Sequence, residues 1–328
     1  MLIRYFKSSY LSQIITLILL GLLLWGKAFI FPEVYAASTK LQPAFELVNG
    51  AIKHWPVAAP ILGYLLLVFQ AMFLNATLNE HELVSRNTLI PAFVLIILGS
   101  QVQETLTFHP ASVANIFIIL SFKRMLKCYD QHDSRRDILS ASIYISVASM
   151  FFFPSIVFLL LVWSMLISFS IATWKEWIIS MIGAATPYIY LFSLYYIAGA
   201  YPDRLAEYFR YFTQGNTIQL PHDIMLYVIW GLTAILIIFS WFFYLLHFQE
   251  KNIMIRKKIS LFLWFLLFSL LPSFFAGEAF PVLEMVIAIP LTVLVAFYLD
   301  SISRRTTFQN ALLWMLLMAM LINNYNLI

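Results

Sequence analysis

Residues 224–246 read IMLYVIWGLTAILIIFSWFFYLL, twenty-three positions without a single charge. The hydrocarbon core of a bilayer is about 30 Å thick, which a helix crosses in about 20 residues. This stretch is therefore long and apolar enough to cross. Ile14–Leu24 repeats the pattern near the N-terminus. The composition extends the reading to the whole chain. Of 328 residues, 62% are hydrophobic and 11% are charged, against roughly 25% charged in an ordinary soluble domain. Too little polar surface is available to cover a water-soluble globule. A soluble enzyme, a nucleic-acid-binding module and a disordered linker are excluded on that ground.

Working outward by span length places membrane helices near 11–31, 57–75, 87–103, 106–126, 138–153, 154–173, 177–198, 223–247, 259–276, 280–299 and 309–324. The expectation is an all-α, polytopic transmembrane bundle of about eleven spans, with residues 1–328 as one membrane domain. The apolar cores of the third to fifth spans are short. Arg4 and Lys7 precede the first span, and Val34-Tyr35-Ala36-Ala37 faintly resembles a cleavage site, but it lies too far beyond the apolar run. The first helix is read as retained.

Lysine and arginine set the orientation. With the N-terminus in the cytoplasm, fifteen of the twenty basic residues fall inside, as the positive-inside rule requires. The net charge of +4 then reflects topology and implies no nucleic-acid partner. Lys123–Arg136 and Lys251–Lys258 read as inner segments facing anionic lipid. Two outer loops, Pro43–Pro56 and Pro202–Gln214, carry apolar and polar residues on opposite helical faces. They are predicted to form interfacial amphipathic helices.

No nucleotide loop, zinc motif or nucleophile elbow is present, and the single cysteine, Cys128, forms no internal disulfide. No metal site and no cofactor are expected. The candidates for chemistry are carboxylates at the outer side. Glu33 closes the first span, as a general base or as a helix-end residue in water. Glu104 and His109 share the loop Gln101–Pro110, either turned toward Glu33 or as a polar turn and a helix start. Glu284 lies inside the 280–299 span, six residues after Glu278, and ionisable residues there usually face a cavity or a partner. Arg204 and Arg210 suit a lipid phosphate, since guanidinium binds phosphate oxygens bidentately, although an ion-pair chain through Glu207 explains them equally. Lys27 snorkels or meets an anionic headgroup. Asn75, Asn79 and Asn115 read as interhelical hydrogen-bond partners.

Several strings together resemble a bacterial family of polytopic inner-membrane proteins of unknown function. They are Leu74-Asn75-Ala76-Thr77-Leu78-Asn79, Asn87-Thr88-Leu89-Ile90-Pro91-Ala92, His109-Pro110 with Ala114-Asn115, Phe153-Pro154, and Gly183 with Pro187. The resemblance covers roughly residues 1–200. It implies a multi-pass protein of the bacterial inner (cytoplasmic) membrane. The arrangement is also distantly similar to GT-C glycosyltransferases, and that likeness implies a polyprenyl-phosphate-linked sugar as donor in envelope glycan assembly. On that likeness Glu33 and Glu104 would be the two carboxylates, with Arg204 or Arg210 at the phosphate. This chain has a lone Glu where that family commonly has Asp, often in an acidic pair, and a shorter first outer loop. Two rival expectations remain: a non-catalytic scaffold among other envelope membrane proteins, and a lipid or small-anion transporter.

Overall fold

The computed structural model describes residues 2–32, 43–52, 55–129, 134–199, 206, 223–247, 252–271, 280–302 and 306–325. Of these, 84% are helical, and among them there is no strand. In chain order the helices are α1 (Leu2–Phe6), α2 (Leu11–Ile30), α3 (Pro43–Ile52), α4 (Ala58–Glu80), α5 (Ile90–Leu98), α6 (Pro110–Lys127) and α7 (Arg135–Phe151). Then come α8 (Leu159–Ser168), α9 (Trp174–Ile197), α10 (Ile224–His247), α11 (Ile253–Ser269), α12 (Phe280–Ser301) and α13 (Thr307–Tyr325). Short 3-10 helices cover Gln103–Thr105 and Phe153–Phe158.

Each predicted span overlaps a helix, but among the described residues five stretches are long and apolar enough by themselves to cross a membrane. These are α2, α4, α9, α10 and Glu284–Ser301 of α12. The expected 87–103 span contracts to α5, nine residues that rise only about 13.5 Å. Every residue of α5 is buried, so protein surrounds it on all sides. It packs chiefly against α4 and α12. The expected 154–173 span divides: after an extended Phe152, a 3-10 segment, Phe153–Phe158, with Pro154 in its first turn precedes the ten-residue α8. The expected 259–276 helix begins earlier, at Ile253, and takes Lys257 and Lys258 into its first turns.

Apolar burial has little force between helices already in lipid, so close packing and hydrogen bonds must hold them. A Cβ on Gly63 would stand 2.5 Å from the Thr107 carbonyl oxygen. On Gly183 it would stand 2.8 Å from the Leu139 carbonyl oxygen. These glycines let α4 meet the loop before α6, and α9 meet α7. Between α7 and α9, Ser142 donates to Ser180 Oγ at 3.0 Å and Ser146 to the Ala184 carbonyl at 2.7 Å.

One end of the bundle gathers charge. Lys123 pairs with Glu80 at 2.6 Å, Arg124 with Asp137 at 3.0 Å and Arg135 with Glu176 at 3.6 Å. Lys7 donates to the carbonyls of Asp300 and Ile302, both at 2.7 Å, and so caps the C-terminal end of α12. Ser85 donates through its backbone N and its Oγ to Asp300 Oδ2. The chain's two extremes also meet. The Ile3 amide donates to Asn310, Asn324 Nδ2 donates to the Leu24 carbonyl at 2.8 Å, and the Tyr325 hydroxyl donates to the Leu23 carbonyl at 2.9 Å.

Of the two expected amphipathic helices, the first is α3. It buries Phe45 and Ile52 beside Phe108 and Ala59, with Phe45 stacked on Phe108 at 5.4 Å. Val48 and Trp55, which follow Phe45 and Ile52 at three-residue spacing, are 41% and 74% exposed. The helix ends at Ile52, so Trp55 never joins its periodicity. The second, Pro202–Gln214, falls almost entirely outside the described residues.

Candidate functional site

The described residues converge on a cavity of about 240 Å³ around Glu284. Three elements build it. From α10 come Trp230, Thr233 and Ile237, and from α12 come Glu284, Ile287, Ala288 and Leu291. Both sets follow the three- and four-residue spacing of one helical face. Leu98, the last residue of α5, and Gln101 in the following loop also line it.

The walls are apolar except at three places. Glu284 accepts a hydrogen bond from Trp230 Nε1 on its Oε2 at 3.1 Å. The Thr233 hydroxyl is turned back onto its own helix, donating to the Ile229 and Trp230 carbonyls at 3.1 and 2.9 Å. Gln101 is 2% exposed, and its Nε2 has no hydrogen-bond partner among the described residues. The Glu284 carboxyl group, held by the Trp230 indole, thus stands at a partly open space whose walls are mostly hydrocarbon.

Across Ala288, which lines both spaces, lies a second cavity of about 20 Å³. That is room for about one water. Its rim is more polar. Gln70 Nε2 donates to the Ser112 carbonyl at 2.7 Å, and Asn115 Nδ2 donates to the Met285 carbonyl at 2.9 Å. The latter joins α6 to α12 as an interhelical bond. Trp25 Nε1 donates to Ser100 Oγ at 3.0 Å.

The remaining expected site residues are distributed as follows. His109 is the N-cap of α6, 1% exposed, with Nδ1 accepting from the Ala111 amide at 3.1 Å. This is the geometry of a helix start. Lys27 donates to Gln103 Oε1 at 2.9 Å, and Gln103 Nε2 donates to the Asn323 carbonyl at 2.5 Å. The expected headgroup cation is thus tied to a side chain of its own protein. Glu104 lies on the 3-10 helix Gln103–Thr105, and its side chain is outside the described set. Glu33, Arg204, Arg210 and Glu278 are outside the described residues. The carboxylates and arginines that the glycosyltransferase likeness implies thus lie outside the described side chains. Among them, no group of three His, Cys, Asp or Glu could hold a metal ion.

Sequence reasoning singled out Glu284 but missed its companions. Trp230 is 54 residues away, and Gln101 lies in the stretch read as the third span and its outer loop. A polar amide three residues beyond the wholly apolar run Ile90–Leu98 was the available signal for Gln101.

A family described as "Family of unknown function (DUF6427)" matches residues 52–328. The chain belongs to this family. No curated protein and no solved structure matches it. The family match runs through the C-terminal third, where the resemblance drawn from sequence was expected to fade. It therefore includes α10 and α12, the two helices that form most of the Glu284 cavity. The match carries no link to GT-C glycosyltransferases.

Proposed function

We propose that this DUF6427 protein is a multi-pass protein of the bacterial inner membrane and holds an apolar-bodied ligand in the Glu284 cavity. In this reading it crosses the bilayer about eleven times with its N-terminus in the cytoplasm. The lysine and arginine asymmetry supports the orientation, and the gathering of Lys7, Lys123, Arg124 and Arg135 at one end agrees with it. The observation that carries the ligand reading is the carboxyl group of Glu284 facing 240 Å³ of apolar-walled space within a candidate span. An ionisable group there is costly unless it serves a partner or a cavity. Apolar pockets with a few convergent polar groups are the usual form of a small-molecule site.

An amphiphile with a polyprenyl chain belongs to this ligand class, so the lipid-linked glycan reading survives as its narrower form. Native mass spectrometry of protein extracted gently from its own membrane tests the proposal. The wild type should retain a defined lipid or prenyl adduct, and Leu291→Trp, which fills the cavity, should lose it. The same adducts on both proteins would end the cavity reading. A stoichiometric protein partner accompanied only by bulk phospholipid would favour a scaffold instead.

A further inference from the structure

We infer that the ligand of the Glu284 cavity carries a cationic head, an ammonium or guanidinium group on an apolar body. The inference rests on the ligand reading above and names the chemistry of that ligand. Glu284 lines the cavity, and Trp230 Nε1 occupies one acceptor position on its Oε2. A carboxylate offers about four such positions, so most of them remain open. The ion pairs among the described residues join Glu80, Glu82, Asp137 and Glu176 to their cations and do not include Glu284. Distance explains why. Lys7 caps α12 at Asp300, sixteen residues beyond Glu284, which is about 24 Å along the helix. Lys27 donates to Gln103. An ionisable group within a span ordinarily has a charged partner or faces a cavity. Glu284 has the cavity, and its counter-charge must come from what enters it.

The carboxyl group selects among ligand heads. A plain hydrocarbon leaves its open oxygen positions unused. An anionic head, a lipid phosphate included, sets its charge against Glu284 and stays outside. A hydroxyl supplies one hydrogen bond but leaves the charge unbalanced. An ammonium or guanidinium supplies both the charge and several donors. Trp230 lines the same space, and indole attracts cations more strongly than the other aromatic side chains do. The surrounding wall of Ile237, Ile287 and Leu291 suits an alkyl or prenyl body. The ligand class is therefore an amphiphilic amine, with its head at Glu284 and its body along α10 and α12.

The test uses the full chain in lipid nanodiscs at pH 7. A diazirine-bearing octane reports occupancy as label in the peptide containing Trp230. Unlabelled octylamine, 1-octanol and octanoate then compete at matched concentrations in the bilayer. Octylamine should compete about tenfold better than 1-octanol, the lower end of what a hydrogen bond to a charged group supplies, and octanoate should be the weakest. Glu284→Gln keeps the size and removes the charge, so it should abolish the amine preference. Octane labelling should persist in this variant, showing that the cavity is still formed; if it does not, the order of competitors on the wild type decides alone. Octylamine no better than 1-octanol on the wild type would mean that Glu284 holds only a proton, and would overturn the cationic head while leaving the cavity as a ligand site. An amine preference retained in Glu284→Gln would overturn it equally. Absence of label from the Trp230 peptide of the wild type would remove the ligand reading itself.

Discussion

Replacing Gly63 by alanine tests how the bundle is closed on the side of the second cavity. A Cβ at this position meets the Thr107 carbonyl oxygen at 2.5 Å, the Thr107 carbonyl carbon at 2.6 Å and the Phe108 amide nitrogen at 3.1 Å. All three are backbone atoms, so no rotamer change relieves the clash. Ordinary van der Waals contact begins near 3.4 Å. Either α4 or the Thr107–Phe108 segment must therefore retreat by roughly 0.9 Å. That retreat disturbs the His109 cap of α6 and the Phe45–Phe108 stack. Overpacking of this kind costs typically about 1–3 kcal/mol. At this chain length 1 kcal/mol moves an apparent Tm by about 2 °C, so Gly63→Ala should melt about 2–6 °C below wild type in detergent. The matched control is Gly231→Ala on α10, where an added Cβ has nothing within 4 Å. There the gain in helix propensity should leave the protein unchanged or about 1–2 °C more stable. Melting can be followed by tryptophan fluorescence, with recovery of the monodisperse chromatographic peak as a second measure. If both variants melt with the wild type, the close approach of α4 to residues 107–108 is wrong.

Three further outcomes are expected. Ser100→Ala keeps the Trp25 indole in place but removes the acceptor of its Nε1 donor, and should cost about 1–3 kcal/mol on the same melting assay; no shift would show that the bond is not formed. Cys128 is buried, and burial pushes its thiol up to about 12. Its reactive thiolate is scarce below that value and grows as pH rises, so maleimide at pH 8 should label the folded protein slowly and the SDS-unfolded protein quickly; equal rates would refute its burial. In a Cys128→Ser background, a membrane-impermeant maleimide added to intact cells should label Ala198→Cys and not Ser8→Cys, and the opposite pattern would invert the proposed orientation.

The helices were legible in the sequence wherever uncharged runs were long, and α2 and α10 begin and end within a residue of expectation. What failed did so for identifiable reasons. Ile90–Leu98 is apolar at every position, so it carries no periodicity from which length or facing could be read. Lys257 and Lys258 were read as the loop before a span, yet both sit in the first turns of α11, where their ammonium groups stand 5.8 Å from the Tyr129 ring centre. A cation over an aromatic face needs no sequence signature. The candidate site divides the same way. Glu284 was visible because a carboxylate inside a span is anomalous, whereas the indole that holds it depends on which helices become neighbours. His109 before Pro110 had the form of a helix start, and the helix starts there.

The pairing of the first long helix with the last has a consequence for biogenesis. The carbonyls of Leu23 and Leu24 take their side-chain partners from Tyr325 and Asn324, 302 and 300 residues later. On the proposed membrane reading, at about 5–20 residues per second, a newly inserted first helix waits roughly 15–60 s before its closing partners emerge from the ribosome. During that interval the seam that α13 will occupy must be covered by lipid or by a neighbouring membrane protein. The last nineteen-residue helix is then the clasp of the bundle, and a chain truncated before it should insert normally yet be cleared by membrane proteases.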